Sequence, residues 1–322
     1  MNQTFVNFMH KYHNSRIAVA VSGGVDSVCL LYWLAELKLD VVALHVNHGL
    51  RDAADTETRY VCDLSKKLDI PCHIFHWQGD KPKSNLESAA REARYQLMTD
   101  FCRDNNIDVL LTAHQADDQI ETFLMNLSRG SGVYGLAAMR DESMRDGIKI
   151  VRPLLKVFRS ELIEYCDSNG IKYFSDEMND DEKYTRVRIR KNRHLLDEKL
   201  GISDDRVLLA IENLSRTRDG LDEYVENRMT GILKRDYARM DASFLFDEPL
   251  EVRLKLLGTL VQNVGGDEYQ PRLNSLEKAL DMLRRDCKFT LGHCTLRRLA
   301  DNIVIVPEGS SVSFRQRLQK IN

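Results

Sequence analysis

The stretch Ile17-Ala-Val-Ala-Val21-Ser22-Gly23-Gly24-Val25-Asp26-Ser27 decides the fold. Its first five residues read as a buried strand, and residues 25–37 place Val28, Leu31, Leu34 and Ala35 on one side of a helix. Two glycines sit at the turn between them, where backbone without side chains allows positive φ and close approach of an anion. A helix N-terminus presents unpaired N–H groups and partial positive charge, so Ser22, Gly23, Gly24, Val25, Asp26 and Ser27 form a candidate phosphate loop. Asp26, in the first turn, is a candidate holder for a divalent cation bridging phosphates. The same residues also suit a plain helix cap, with Asp26 complementing the macrodipole. The loop at 22–27 has neither a Gly-Lys-Ser/Thr ending nor the Gly-x-Gly-x-x-Gly spacing, so it is neither a Walker loop nor the dinucleotide fingerprint.

Around this loop, apolar runs alternate with amphipathic ones. Strands are expected at 41–46, 72–77, 109–112 and 148–151, and helices at 53–68, 86–105, from 116 onward and at 159–169. Such repetition predicts an α/β fold with a mostly parallel, doubly wound sheet. Beyond about residue 200 the pattern changes to helices at 204–234, 250–264 and 271–283, then short alternating runs at 289–291, 295–299 and 303–306 that suit a small antiparallel sheet. At 322 residues two domains are expected, with the cut between 200 and 235.

Composition narrows the classes. No apolar run approaches the ~20 residues of a membrane span, and the N-terminus does not read as a signal peptide. Seven scattered cysteines, none in a Cys-x-x-Cys pair, suit reduced thiols and a cytoplasmic location. A net charge of −3 argues against indiscriminate nucleic-acid binding. One dense cationic segment remains, with Lys183, Arg186, Arg188, Arg190, Lys191 and Arg193 available to neutralise phosphates.

Further motifs flank the loop. His45-Val-Asn-His48-Gly-Leu-Arg51 closes the second strand, although two histidines there would also serve simply to finish it. On the helix at 86–105, Arg91 and Arg94 either face a ligand or pair with Glu87 and Glu92 on a solvated face. The segment His114-Gln-Ala-Asp117-Asp118-Gln-Ile-Glu121 follows the fourth strand. Like charges at that helical spacing repel, so the trio suits a cationic ligand, metal or ammonium, while first-turn acids also favour the macrodipole.

With Arg129-Gly-Ser-Gly132 and Arg152-Pro153-Leu-Leu155, these motifs resemble the tRNA(Ile)-lysidine synthase family in order and spacing, and the loop resembles that of the N-type ATP-pyrophosphatases. The match is close over about residues 15–200 and loose beyond. The resemblance implies an adenine nucleotide hydrolase-like catalytic domain at 1–203, a helical linker at 204–235 and a smaller, mainly helical tRNA-binding domain at 236–322.

The resemblance also implies a reaction. ATP adenylates the wobble cytidine of a tRNA(Ile) with anticodon CAU, and free L-lysine then displaces AMP, with Mg2+ assisting and a homodimer left open. It assigns ATP binding to Ser22–Ser27, His45 and His48, and a metal to Asp26 and Asp117. Lysine is assigned to Asp118 and Glu121, and catalysis to Asp26, Arg94, His114, Asp118 and Glu121. Arg186, Arg188, Arg190, Lys191 and Arg193 are assigned to tRNA, while Arg284, Arg285, Arg297 and Arg298 are candidates for rejecting methionine tRNAs. Three places depart from the family pattern: Gln115 stands for a second histidine, Met178 for a serine and Val187 for an asparagine. The chain also looks short for the family's two-part C-terminal region. Rivals are a thiolase of the same superfamily, an amide-forming synthetase, and a non-catalytic RNA-binding relative.

Overall fold

The computed structural model describes residues 1–49, 54–78, 82, 86–174, 183, 185–234, 236–267 and 269–309, without the Glu87 side chain. The chain divides into two units, Met1–Ser215 and Arg216–Asn322.

The first unit opens with α1 (Gln3–Met9) and β1 (Ile17–Ala20), then α2 (Val25–Glu36), β2 (Val41–Asn47), α3 (Ala54–Lys67) and β3 (Cys72–His76). It continues with α4 (Leu86–Asp104), β4 (Val109–Leu111), α5 (Ala116–Ser128) and α6 (Val133–Leu136), then β5 (Glu142–Arg145), β6 (Ile148–Val151) and α7 (Arg159–Ser168). Helices α8 (Thr185–Asn192), α9 (His194–Leu200) and α10 (Asp204–Met229) follow. The sheet order is β3-β2-β1-β4-β6-β5, parallel except for β5, which runs antiparallel to β6.

The central strands β1 and β4 are apolar throughout because both sheet faces are covered. Alternate residues serve opposite faces: Ile17, Val19, Val41 and Ala43 join a core with α1, α2 and α7, while Ala18, Val42 and Leu44 join one with Tyr95, Met98 and Cys102 of α4. Burying each large apolar side chain contributes about 1.5–3 kcal/mol. This double coverage holds β1 rigidly at the centre.

Strand β5 is an addition to the sequence expectation. Its Glu-Ser-Met-Arg composition hides it, but the turn before β6 is a two-residue Asp146-Gly147 pair with φ of 50° and 80°, as a tight hairpin requires.

In the first unit, Val207 and Ile211 of α10 bury against Ile120. The helix stops at Met229 rather than 234 because Gly231, at φ 82°, turns the chain out of the helix. The second unit packs its part of α10, β7 (Ala238–Asp241), α11 (Ala242–Phe246), α12 (Leu250–Gly265) and α13 (Leu273–Arg284) with β8 (Phe289–Leu291), β9 (Cys294–Leu299) and β10 (Asn302–Pro307). Its antiparallel sheet has the order β7-β10-β9-β8. Among the described residues no helix is long and apolar enough to cross a membrane.

Candidate active site

Strand order reverses between β1 and β4, so the loops leaving their C-terminal ends diverge and open a crevice, the usual ligand position in such sheets. A cavity of about 260 Å³ lies there. Ser22, Asp26 and Ser27 line it from the loop after β1, His45 and His48 from the end of β2, Arg94 from α4, and Thr112 and His114 from the end of β4.

The glycine loop holds a fixed shape. Gly23 sits at φ 95°, where an L-residue is strained, and Gly24 caps α2. The Ser27 hydroxyl accepts from the Ser22 N–H (3.1 Å) and donates to the Gly24 carbonyl (3.0 Å), so it braces the loop from inside. From outside, the Phe174 N–H donates to the Gly23 carbonyl (3.0 Å), and the Phe174 ring meets Tyr60 edge-on at 5.2 Å. The first-turn N–H groups of α2 have no intrahelical acceptor and face the phosphate position.

Asp26 is the loop's charged member. Burial pushes its carboxyl up to about 6; Arg159, with Nε 3.8 Å from Oδ1, partly offsets this, and Asp118 and Asp117 add to it. Its buried Oδ1 has no hydrogen-bond partner among the described residues. A buried carboxylate oxygen left in this state beside a phosphate loop fits a cation. Mg2+ needs only one or two carboxylates when phosphates supply the remaining ligands.

Asp117 does not offer the same seat. Its Oδ2 accepts from the Arg159 N–H (2.9 Å) and its Oδ1 pairs with the Arg193 guanidinium, so it clips α5 to α7 and to the junction of α8 and α9. The metal expectation for Asp26 and Asp117 therefore rests on Asp26.

Gln115 and Asp118 form a capping box at the start of α5. The Gln115 Oε1 accepts from the Asp117 N–H (2.5 Å), and Asp118 Oδ2 accepts from the Gln115 N–H (3.1 Å). Glutamine at 115 thus has a structural task, and the capping reading of the acidic trio holds for Asp118. Burial raises the Asp118 carboxyl, and the Gln115 N–H counters that. Glu121 differs: it is 1% exposed, Arg190 Nε donates to its Oε1 (2.7 Å), and its Oε2 has no hydrogen-bond partner among the described residues.

The two strand-end histidines divide as well. His45 is buried, with Nδ1 2.8 Å from the Val21 carbonyl and Nε2 3.1 Å from Thr58 Oγ1. Its Nδ1–H donates to that carbonyl, and burial keeps the ring neutral by lowering its pKa. It ties β1, β2 and α3 together behind the cavity. His48 meets Trp77 edge-on at 5.8 Å.

His114 Nδ1 lies 2.9 Å from Thr112 Oγ1. Burial, then the positive field of Arg91, Arg152, Arg94 and Arg186, drives its pKa well below the ordinary value. Arg94 is lowered by burial and by Arg91. A neutral imidazole ringed by guanidinium groups is an environment for polyanions.

The basic helix α8 splits into two faces. Arg190 and Arg193, three residues apart, turn toward the carboxylates of α5, and Val187 is buried on that side, which accounts for an apolar residue at this departure from the family pattern. Arg186, Arg188 and Lys191 are exposed. The five expected tRNA contacts therefore do not share one surface. Arg51, Asp176, Met178 and Asn179 lie outside the described residues.

Sequence reading overlooked Arg159, which links Asp26 to Asp117, and the Tyr60–Phe174 brace. The available signal was the placement of Arg159 at the first position of a helix beginning beyond the sheet's far strands, and nothing local reveals its partner. The seven cysteines are free: Cys29, Cys102, Cys166 and Cys294 are buried and the others half-buried, with Cys29 beside Cys166 and Cys62 beside Cys72.

Comparisons with known proteins follow the same lines. Residues 1–196 match the family model of the PP-loop domain. The tRNA(Ile)-lysidine synthase of Wolbachia pipientis wMel is 36% identical over 313 residues, covering 94% of this chain and 72% of that protein. That of Ruegeria pomeroyi is 37% identical over 294 residues, covering 87% and 68%. Among solved structures, the U34-tRNA thiolase NcsA from Methanococcus maripaludis, with its 4Fe-4S cluster, shares the fold at a TM-score of 0.56 and 18% identity, over 66% of this chain and 79% of that one. A chain whose PP-loop domain and greater length align with these synthases belongs to the tRNA(Ile)-lysidine synthase family.

Proposed function

We propose that the protein joins the ε-amine of free L-lysine to carbon 2 of the wobble cytidine in a tRNA(Ile) with anticodon CAU, consuming ATP and releasing pyrophosphate and AMP. The product reads AUA instead of AUG. One juxtaposition carries this reading: Asp26 of the phosphate loop lies in the field of Asp117, Asp118 and Arg190, and Arg190 in turn holds a buried glutamate of α5 that has a spare acceptor oxygen. An anion seat and a cation seat on the same edge of the sheet suit ATP and an ammonium nucleophile.

In the first step the cytosine 2-oxygen attacks the α-phosphorus of ATP, and the bond to the β-phosphate breaks. The loop and the α2 N-terminus hold the triphosphate, and Arg94 stabilises its charge. Mg2+, held by Asp26 and phosphate oxygens, would neutralise charge on the departing pyrophosphate. His114 is held neutral, with Nδ1 2.9 Å from Thr112 Oγ1; in the tautomer where the hydroxyl donates to Nδ1, Nε2 carries the ring's hydrogen and donates it to a phosphoryl oxygen.

In the second step the lysine nitrogen attacks carbon 2, and the carbon–oxygen bond to AMP breaks. At pH 7 only about 0.04% of an ordinary lysine ε-amine is neutral. Glu121 therefore binds the ammonium and, with Asp118, takes up its proton as attack proceeds. The anticodon loop suits this chemistry because its bases can leave the stack without opening a duplex.

The test is incubation with ATP, Mg2+, labelled lysine and a CAU tRNA(Ile). Label in the RNA with one AMP per lysine is expected; sulfur transfer from an added donor without lysine incorporation would overturn the reading. For tRNA contact the exposed face of α8 is decisive. Arg188→Ala and Lys191→Ala should each weaken tRNA binding and lower the slope of log Kd against log salt by about 0.7–0.9. Unchanged affinity and slope would remove α8 from the interface. Arg284 and Arg285, exposed in the second unit, suit tRNA contacts beyond the anticodon.

A further inference from the structure

Three carboxylates stand on α5, and each has a different partner. Asp117 is saturated by Arg193 and the Arg159 N–H, and Asp118 accepts from its own capping N–H. Glu121 is held on one oxygen by the side chain of Arg190, and of the three it alone has a second, buried oxygen with no hydrogen-bond partner among the described residues. We infer that Arg190 is a positioning residue for the lysine half of the reaction, gripping Glu121 Oε1 so that Oε2 meets the incoming ammonium, and that Arg190 is not a tRNA phosphate contact. This rests on the proposed function.

The physical grounds are burial and donor geometry. A carboxylate that is 1% exposed is costly to keep ionised without a countercharge, and Arg190 supplies one. A guanidinium commonly grips both oxygens of a carboxylate as a fork. Here a single bond from Nε at 2.7 Å leaves the second oxygen to another donor. An ammonium is a compact point charge with rotatable donors, so one oxygen suffices to seat it, whereas a second guanidinium would find no fork. The geometry also fixes the carboxylate rotamer, because a side chain emerging from α8 defines where Oε1 must lie. The same bond argues against a phosphate role. A tRNA phosphate would have to draw Arg190 from a buried acid that would then be left uncompensated, whereas Arg188 and Lys191 on the same helix are exposed.

The experiment compares Arg190→Gln and Arg190→Lys with the wild type in three measurements: KM for lysine in label incorporation, tRNA-dependent exchange of pyrophosphate into ATP, and tRNA Kd against salt. Arg190→Gln should raise the lysine KM about ten- to a hundredfold while exchange stays within about threefold and the tRNA salt slope is unchanged. Arg190→Lys keeps the charge but loses the fixed planar donor, so its lysine KM should fall between the two. A wild-type lysine KM together with weaker tRNA binding and a shallower salt slope in Arg190→Gln would overturn the inference. Should that variant not fold, Arg190→Lys decides alone: a lysine KM equal to the wild type overturns it. Failure of the wild-type protein to incorporate lysine at all would instead remove the underlying function and the inference with it.

Discussion

Replacing Asp26 by asparagine is expected to abolish adenylation and, at neutral pH, to make the protein more stable. The two effects share a cause. Burial pushes the Asp26 carboxyl up to about 6, against only partial relief from Arg159 and with added repulsion from Asp118 and Asp117. The folded pKa lies above the unfolded value of 3.8, so the ionised form is the one that folding penalises. That penalty is fully present above about pH 6 and fades as pH falls toward 3.8. At pH 8 it amounts to at most about 3 kcal/mol, lessened because 29% of the side chain reaches water. Asp26→Asn should thus unfold at a higher temperature than the wild type at pH 8, with the gap closing at pH 4. Its tRNA-dependent exchange of pyrophosphate into ATP should fall by about 10²–10³, the scale of losing one preorganised charge at a reacting phosphate. A lower unfolding temperature at pH 8, or exchange at the wild-type rate, would show that Asp26 is an ordinary cap.

Glu121→Gln is expected to separate the two chemical steps. The amide keeps the shape and leaves the phosphate loop untouched, so exchange of pyrophosphate into ATP should persist within about threefold. Lysine incorporation should drop by about 10²–10³, since both the charged seat and the proton acceptor are lost. Under saturating ATP and tRNA, AMP should then form by attack of water, slowly and without lysine dependence. Parallel loss of exchange and incorporation would place Glu121 in the nucleotide half instead. Arg190, left without its partner, is 33% exposed, so the loss costs less than the about 3–5 kcal/mol of a fully buried pair, and a thermal melt accompanies the kinetics.

Much of the fold was legible from the sequence because the signals were local. Ile17–Ala20 is apolar on both faces, and the two glycines fix a turn that few other residues permit. Helices α3, α4 and α12 announced themselves by periodicity and length. Strand β5 was missed because an edge strand need not be apolar, although Asp146-Gly147 marked the hairpin. β7 was missed because four residues after a long helix carry too little pattern.

At the site, residue types were legible and partners were not. The sequence offers Arg186, Arg188, Arg190, Lys191 and Arg193 as one basic run. A helical period of 3.6 sends Arg190 and Arg193 to one side, but only the packing of α8 on α5 says that acids await them there. In the same way His45 looked like a ligand until its two ring nitrogens were accounted for. Long-range pairs such as Arg159 with Asp26 depend on which elements the sheet order makes neighbours, and that order is not written in any one segment.

The bond from the Phe174 amide to the Gly23 carbonyl makes one backbone hydrogen a clock for the nucleotide loop. That hydrogen can trade with deuterium only when the loop and the segment beyond α7 part. ATP bound to the closed loop would oppose parting by RT ln(1 + [ATP]/Kd), about 2.7 kcal/mol at a hundred times Kd. Deuterium uptake at Phe174 should then slow about a hundredfold, so a single amide would count how often the loop opens without any turnover taking place.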